Sequence, residues 1–231
     1  MLLAVTLLCA AQAPVSVQSE VDAAGKGRAV VTNLGPIPLT AFLVEVIRER
    51  CAPIPLQPRI FRGEDAATAS KPNVIEASHG RALELGAAYC NKTGARAPDR
   101  AVLRAAILAN GSSSGDPPWV DLLIDNRQLQ LTRLDKMLRL LESAREPQRA
   151  QEALESAELG PERVVPCVDI ANADPRMIAR KALSDQSARP GDRINRAREA
   201  LQGLRAALLQ ARPELRAQAR DADRQLCRAD L

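Results

Sequence analysis

Apolar positions follow two different rhythms along this chain. Between about residues 20 and 110 they fall in short runs rich in β-branched residues, bounded by Gly, Pro, Asn and Asp. The runs Gly27–Leu34 and Leu39–Cys51 predict strands, and Gly35-Pro36-Ile37-Pro38 separates them because its prolines cannot continue a ladder. In the second run Phe42, Val44 and Val46 share one parity and so one face. Leu43 and Ile47 join Glu45 on the other face, so the alternation there is imperfect. Further strands are expected at Asn73–Ser78, Arg81–Ala88 and Ala101–Ala109. Five or six strands at this spacing suit a small antiparallel β-sandwich of immunoglobulin-like type.

From Asp116 the period changes from two to that of a helix. Val120, Leu123, Ile124, Leu131, Leu134, Leu138 and Leu141 form one stripe over a glycine-free segment. Asp116 or Ser114 can cap the first turn, and Pro117 and Pro118 fit there because their missing N–H groups cost nothing. Trp119, in that turn, can pack back on the sheet and join the two halves. A second helix is expected from Pro147 to about Leu159, before Gly160-Pro161, and a shorter one is begun by Asp174-Pro175. The last segment carries Ile194, Ala197, Leu201, Leu204, Leu208, Leu215 and Leu226 on one stripe, with a kink expected at Pro213. The two long amphipathic helices are most simply paired antiparallel. Alternatively the stripe binds a partner, which makes Trp119, Leu131, Leu138, Leu201 and Leu208 candidate interface residues. The expected fold class is therefore α+β: a β-sandwich over residues 20–115, then a helical hairpin or bundle over 116–231.

The first residues are an uncharged apolar run from Leu2 to about Ala11 followed by small residues. Residues 1–11 resemble a secretory signal peptide with cleavage expected between residues 11 and 19, although its start lacks Lys and Arg. The run is too short to span a bilayer, and no other segment of the sequence reaches that length. Removal of the leader leaves Cys51, Cys90, Cys167 and Cys227, an even count consistent with two disulfides in an exported chain. Three pairings are open, and the division by region favours Cys51 with Cys90 and Cys167 with Cys227.

Composition narrows the function classes. Aromatic residues make up only 2% of the chain, too few for the stacking platforms of single-strand nucleic-acid binders or the sugar platforms of a glycosidase. Thirty-two basic residues against 28 acidic ones, interspersed throughout, make a mixed surface and not a phosphate-binding footprint. No nucleic-acid partner is expected. With one His and no C-x-x-C pair, no metal or cofactor is expected either.

Gly111-Ser112-Ser113-Ser114-Gly115 fits the G-x-S-x-G string, with Ser113 in the nucleophile position. The sole His, His79, precedes that serine, and Asp116-Pro117-Pro118 separates the string from its helix, so an envelope hydrolase using Ser113 is the alternative and not the favoured function. Asn110 and Asn91 begin N-x-S/T sequons, but the Arg- and Ala-rich composition looks bacterial. The carboxylate pairs Glu64-Asp65 and Asp121/Asp125 are expected to be solvated surface. The arginines of the last helix, among them Arg193, Arg196, Arg198 and Arg205, suggest a further alternative, an anion-binding helical module. Intervening acids such as Asp192 and Glu199 favour a solvated face instead.

The junction carries Gly111, Ser112, Gly115, Asp116, Trp119, Val120 and Arg127, with Asn110 where an Asp is more usual. It resembles uncharacterised exported bacterial proteins in which an immunoglobulin-like β-domain passes through such a segment into a long Arg-containing helix. That resemblance implies export and a β-then-α order, and no activity. The expectation is an exported, periplasmic or extracellular, non-enzymatic binding or scaffolding protein of the cell envelope, meeting a protein partner through its helical region.

Overall fold

The computed structural model describes residues 14–21, 26–47, 59–66, 74–87, 89–90, 96–97, 100–161, 164, 168–172 and 174–210. In chain order the strands are β1 (Val15–Val21), β2 (Lys26–Asn33), β3 (Leu39–Ile47), β4 (Arg59–Asp65), β5 (Gly80–Ala87), β6 (Tyr89–Cys90), β7 (Arg96–Ala97), β8 (Arg100–Leu108) and β9 (Ser113–Gly115). Helices α1 (Pro117–Ser143) and α2 (Pro147–Ser156) follow, then β10 (Val168–Ala171), α3 (Pro175–Leu183) and α4 (Pro190–Gln210). The chain is thus mixed α+β.

Two sheets form the N-terminal half. One runs β1-β2-β5 and the other β10-β4-β3-β8-β9, while β6 and β7 form a separate two-stranded pair. Val15, Ala29, Val31, Leu83 and Leu85 of the first sheet pack on Phe42, Val44, Val46, Ala106 and Leu108 of the second. Phe42, Val44 and Val46 therefore share a face, as their parity predicts. The other face of the five-stranded sheet, with Ala41, Leu43, Phe61, Ala105, Ile107, Val168 and Ile170, packs on Trp119, Val120, Leu122, Leu123 and Ile124 of α1. That sheet is a middle layer buried on both sides, which is why apolar residues fill both parities of β3.

The second half of α1 enters another core. Leu131, Leu134, Met137, Leu138 and Leu141 pack with Ala150 and Leu154 of α2, Ala179 and Leu183 of α3, and Ile194, Ala197, Leu201 and Leu208 of α4. Arg198 Nη2 donates to Leu141 O at 3.3 Å and Arg205 Nε to Asp135 Oδ1 at 2.6 Å. As α4 ascends in number its partners on α1 descend, so the two helices are antiparallel, as expected. α3 begins where Asp174 Oδ1 accepts from Arg176 N at 2.9 Å, a side-chain cap on the helix that Pro175 opens. Among the described residues no helix is long and apolar enough to cross a membrane.

Three expectations are corrected. The segment around Ile75 makes only an isolated bridge, Leu39 with Ile75, and no strand. The region from 116 onward is not purely helical: β10 lies parallel to β4, Val168 opposite Phe61, at the edge of the middle sheet. Asp116 stands at the N-cap of α1 but its carboxylate makes no cap bond, and Ser114 belongs to β9. The kink at Pro213, the leader and Cys51, Cys167 and Cys227, and with them both disulfide pairings, lie outside the described residues, while the backbone of Cys90 is in β6.

Candidate functional site at the strand to helix joint

Two irregularities in the β3–β8 ladder build this site. Leu39 pairs with Leu108 and Ala41 with Ile107, which leaves Thr40 as an extra residue on β3. Leu43 pairs with Ala105 and Val44 with Leu103, which leaves Arg104 extra on β8. Each bulge switches the faces that follow: Leu39 lies in the core between the sheets whereas Ala41 lies against α1, and Leu103 and Ala105 divide in the same way. Both bulged residues carry a polar side chain, and both engage ion pairs at the joint with α1.

At the first bulge, Arg127 of α1 grips Asp65 at the end of β4. Its Nε donates to Oδ2 at 2.6 Å and its Nη2 to Oδ1 at 2.9 Å, a bidentate fork with side chains 4% and 0% exposed. The same Nη2 donates to Thr40 Oγ1 at 3.2 Å, and Thr40 Oγ1 donates to Ile107 O at 2.9 Å. Ala66 N donates to Thr40 O at 2.7 Å, so the bulged residue's carbonyl is also satisfied. One guanidinium thus ties α1 to β4 and β3, and through Thr40 to β8.

At the second bulge, Arg104 Nε donates to Glu45 Oε2 at 2.7 Å and its Nη1 to Asp116 Oδ2 at 2.9 Å. Partial burial opposes the charge on Arg104, but the hydrogen bonds and attraction of Glu45 and Asp116 outweigh it and raise its pKa. The Asp116 carboxylate is held by this pairing and not by the helix cap. Asp116 N donates back to Arg104 O at 2.9 Å. Between them Gly115 has φ +117°, and a Cβ there would stand 2.2 Å from Arg104 O, so only glycine fits. Trp119 then stacks on Phe61 of β4, ring centroids 4.4 Å apart at 27°. Gly115, Asp116, Trp119 and Arg127 of the junction pattern therefore each fasten the helix to the sheet.

Further along α1, Asn126 and Asn172 exchange amide hydrogen bonds at 3.1 and 3.2 Å, which attaches the end of β10 to the helix. Gln130 and Arg133 are buried on the next turns.

The other sequence candidates are dispersed. Residues 108–115 form a hairpin: Gly111 N donates to Leu108 O, and β9 pairs with β8, Ser113 opposite Ile107. Ser113 is exposed on an edge strand and does not stand at a strand-to-helix elbow. His79 is exposed at the turn before β5 in the other sheet, its Nδ1 2.9 Å from Ala77 O, and among the described residues no hydrogen bond joins it to Ser113. Asn110 accepts from Ser112 N and Oγ in a local turn. The pair expected to be solvated, Glu64-Asp65, is not: Asp65 is the buried partner of Arg127, and Glu64 meets Arg81 at 2.9 Å. Burial pushes the Glu64 carboxyl up, against the lowering by Arg81.

The five interface candidates are corrected by their burial. Trp119 lies between sheet and helix, while Leu131, Leu138, Leu201 and Leu208 fill the helical core, so these five described residues are packed against the chain itself and not presented to a partner. On α4, Arg196 meets Asp185 at 2.8 Å and Arg205 meets Asp135 at 2.6 Å. The residues missed by sequence reading are Thr40, Glu45 and Arg104, whereas Asp65 is singled out in the sequence but read there as solvated surface. The one signal available for them was Glu45, a carboxylate inside an apolar run. No group of three or more His, Cys, Asp or Glu that could hold a metal ion occurs among the described residues. Neither a protein-family model, nor a curated protein, nor a solved structure matches this chain.

Proposed function

We propose that this is an exported, periplasmic or extracellular, non-enzymatic binding or scaffolding protein of the bacterial cell envelope. One observation carries that reading: the 27-residue α1 is shared by two apolar cores, and the charged groups at its joint are engaged in ion pairs that fix one module against the other. A buried bidentate pair and a stacked aromatic suit a rigid presentation platform. They do not suit a reaction centre, which needs a group poised to exchange protons or attack. The two facing sheets with an aliphatic core support an immunoglobulin-like arrangement for residues 20–115, to which β10 is an addition. With Leu131, Leu138, Leu201 and Leu208 packed inside, the helical surface meets a protein partner through polar positions such as Asn195, Glu199 and Gln202, exposed on one face of α4.

The test is affinity capture from an envelope extract with the full chain. Deleting the helical region is an unsuitable control, because α1 and β10 supply core residues to the middle sheet. The control is a folded variant carrying Asn195→Glu, Glu199→Arg and Gln202→Glu. A defined partner retained by the parent and lost by the variant supports the proposal. Identical capture by both, or a hydrolase activity abolished by Ser113→Ala, overturns it.

A further inference from the structure

We propose that α1 and α3 hold a buried oxyanion site, for a carboxylate or phosphoryl group, around Gln130, Arg133 and Arg176. The starting observation is three donors removed from solvent with no acceptor: Gln130 Nε2, Arg133 Nε and Arg176 Nε. Gln130 is 2% and Arg133 7% exposed. A buried donor without a partner forfeits the hydrogen bond it had with water, at greater cost when it belongs to a charged group, so a chain that keeps two of them one turn apart has placed them for an acceptor.

Neighbouring contacts put these groups in one locality. Asn126, Gln130 and Arg133 follow one another at spacings of four and three, on one face of α1. At the upper end of that face Asn126 bonds Asn172, just before α3. Lys136, one turn beyond Arg133, reaches Glu158 O at 3.5 Å, and Arg176 in the first turn of α3 donates through Nη2 to the adjacent Ala157 O. Gln130 and Arg133 therefore occupy the stretch of α1 bracketed by the start of α3 and the chain leaving α2.

Charge agrees with this assignment. Arg133, Lys136 and Arg176 bring three cations, and three nearby carboxylates are engaged elsewhere. Asp135 is held by Arg205, Glu155 by Arg180 at 3.0 Å, and Asp174 caps its own helix. Glu158 is exposed. An arginine flanked by an amide donor offers directional N–H groups for planar or tetrahedral oxyanions. The site is separate from the α4 surface assigned to a protein partner, so either proposal can fail without the other.

The experiment titrates the full chain with inorganic phosphate and, separately, acetate at matched ionic strength, read by calorimetry and by the shift in Tm. Saturable binding by the parent is expected, weakened at least about tenfold in Arg133→Met, since one charge-assisted bond is lost. Arg196→Gln, at an arginine paired with Asp185 on α4, leaves binding unchanged. Saturation with phosphate alone points to a phosphoryl ligand, and with acetate to a carboxylate. Should Arg133→Met fail to fold, Gln130→Met carries the test with a several-fold loss expected. The proposal is overturned if neither anion saturates, if the Arg133 or Gln130 variant binds like the parent, or if Arg196→Gln loses binding equally.

Discussion

Replacing Arg127 by methionine keeps the bulk of the side chain on α1 and removes both N–H groups that hold Asp65. The carboxylate it leaves has no exposure to solvent, so water cannot replace the fork. Two charge-assisted bonds at about 1.5–3 kcal/mol each, or equivalently a broken buried ion pair at about 3–5 kcal/mol, set the expected loss. Against a typical total of about 5–15 kcal/mol, that removes a large fraction of the stability. Thr40 Oγ1 keeps its bond to Ile107 O and adds little to the cost. Urea unfolding followed by the fluorescence of Trp119, the single Trp of the chain, gives the measurement, with circular dichroism as the second probe of two-state behaviour. The diagnostic arm is the double variant Asp65→Leu with Arg127→Met. It removes both charges and should recover most of the loss, because an apolar pair of similar volume is often as stable as a buried ion pair. A single variant that loses less than about 1 kcal/mol, or a double variant no better than the single, refutes the assignment of Arg127 as the clamp.

Four further outcomes follow from the same geometry. Gly115→Ala should cost about 3 kcal/mol or more, from strain at positive φ plus the clash with Arg104 O, whereas Gly160→Ala, at φ +86° in open space, should cost only about 1–2 kcal/mol; equal costs by urea midpoint contradict this. Glu64 has a raised carboxyl in the folded chain, so its contribution to stability is present below its ordinary value of 4.5 and lost as pH rises through the folded value; Glu64→Gln should gain on the parent across that rise, and a pH-independent difference counts against it. Asp185 is lowered, chiefly by hydrogen bonds from Ser187, so its stabilisation is present above 3.8 and lost as pH falls through the folded value; Asp185→Asn should lack that acid-side loss. If a leader is removed, the cut should fall before Pro14, because Pro14 O accepts from Leu34 N and Gly35 N and a cut after residue 19 would take Val15–Ser19 out of β1; mass spectrometry of the exported chain reads this directly.

The elements legible in the sequence are those that bury a single, periodic face. β2, β5 and α1 follow their patterns, and β3 and β8 are visible as apolar runs even though both their faces are covered. β4 is hidden because Arg59-Ile60-Phe61-Arg62-Gly63-Glu64-Asp65 mixes charge with apolar residues, and its acids Glu64 and Asp65 are satisfied by side chains distant in sequence, Arg81 and Arg127. β10 has four residues and pairs with a strand about a hundred positions earlier, so no local signal marks it. Periodicity located the leucine stripes but not what covers them, and hence whether they were core or interface. The junction string was visible as glycine, acid, tryptophan and arginine in order. Its partners Arg104, Phe61 and Asp65 were not, since a contact spanning 62 residues leaves no trace in spacing.

The parallel pairing of β10 with β4 also sets an order of events in folding. Strands β1 to β9 are complete by residue 115, yet the edge of the middle sheet beside β4 stays open until Val168–Ala171 has been made and α1 has docked. A nascent chain stalled before residue 168 should therefore expose the edge of β4, a template for pairing with another chain, and depend on protection until the later half arrives. The long sequence separation of this closure makes it a slow step, so the β-rich half is the first to be synthesised and among the last to be finished.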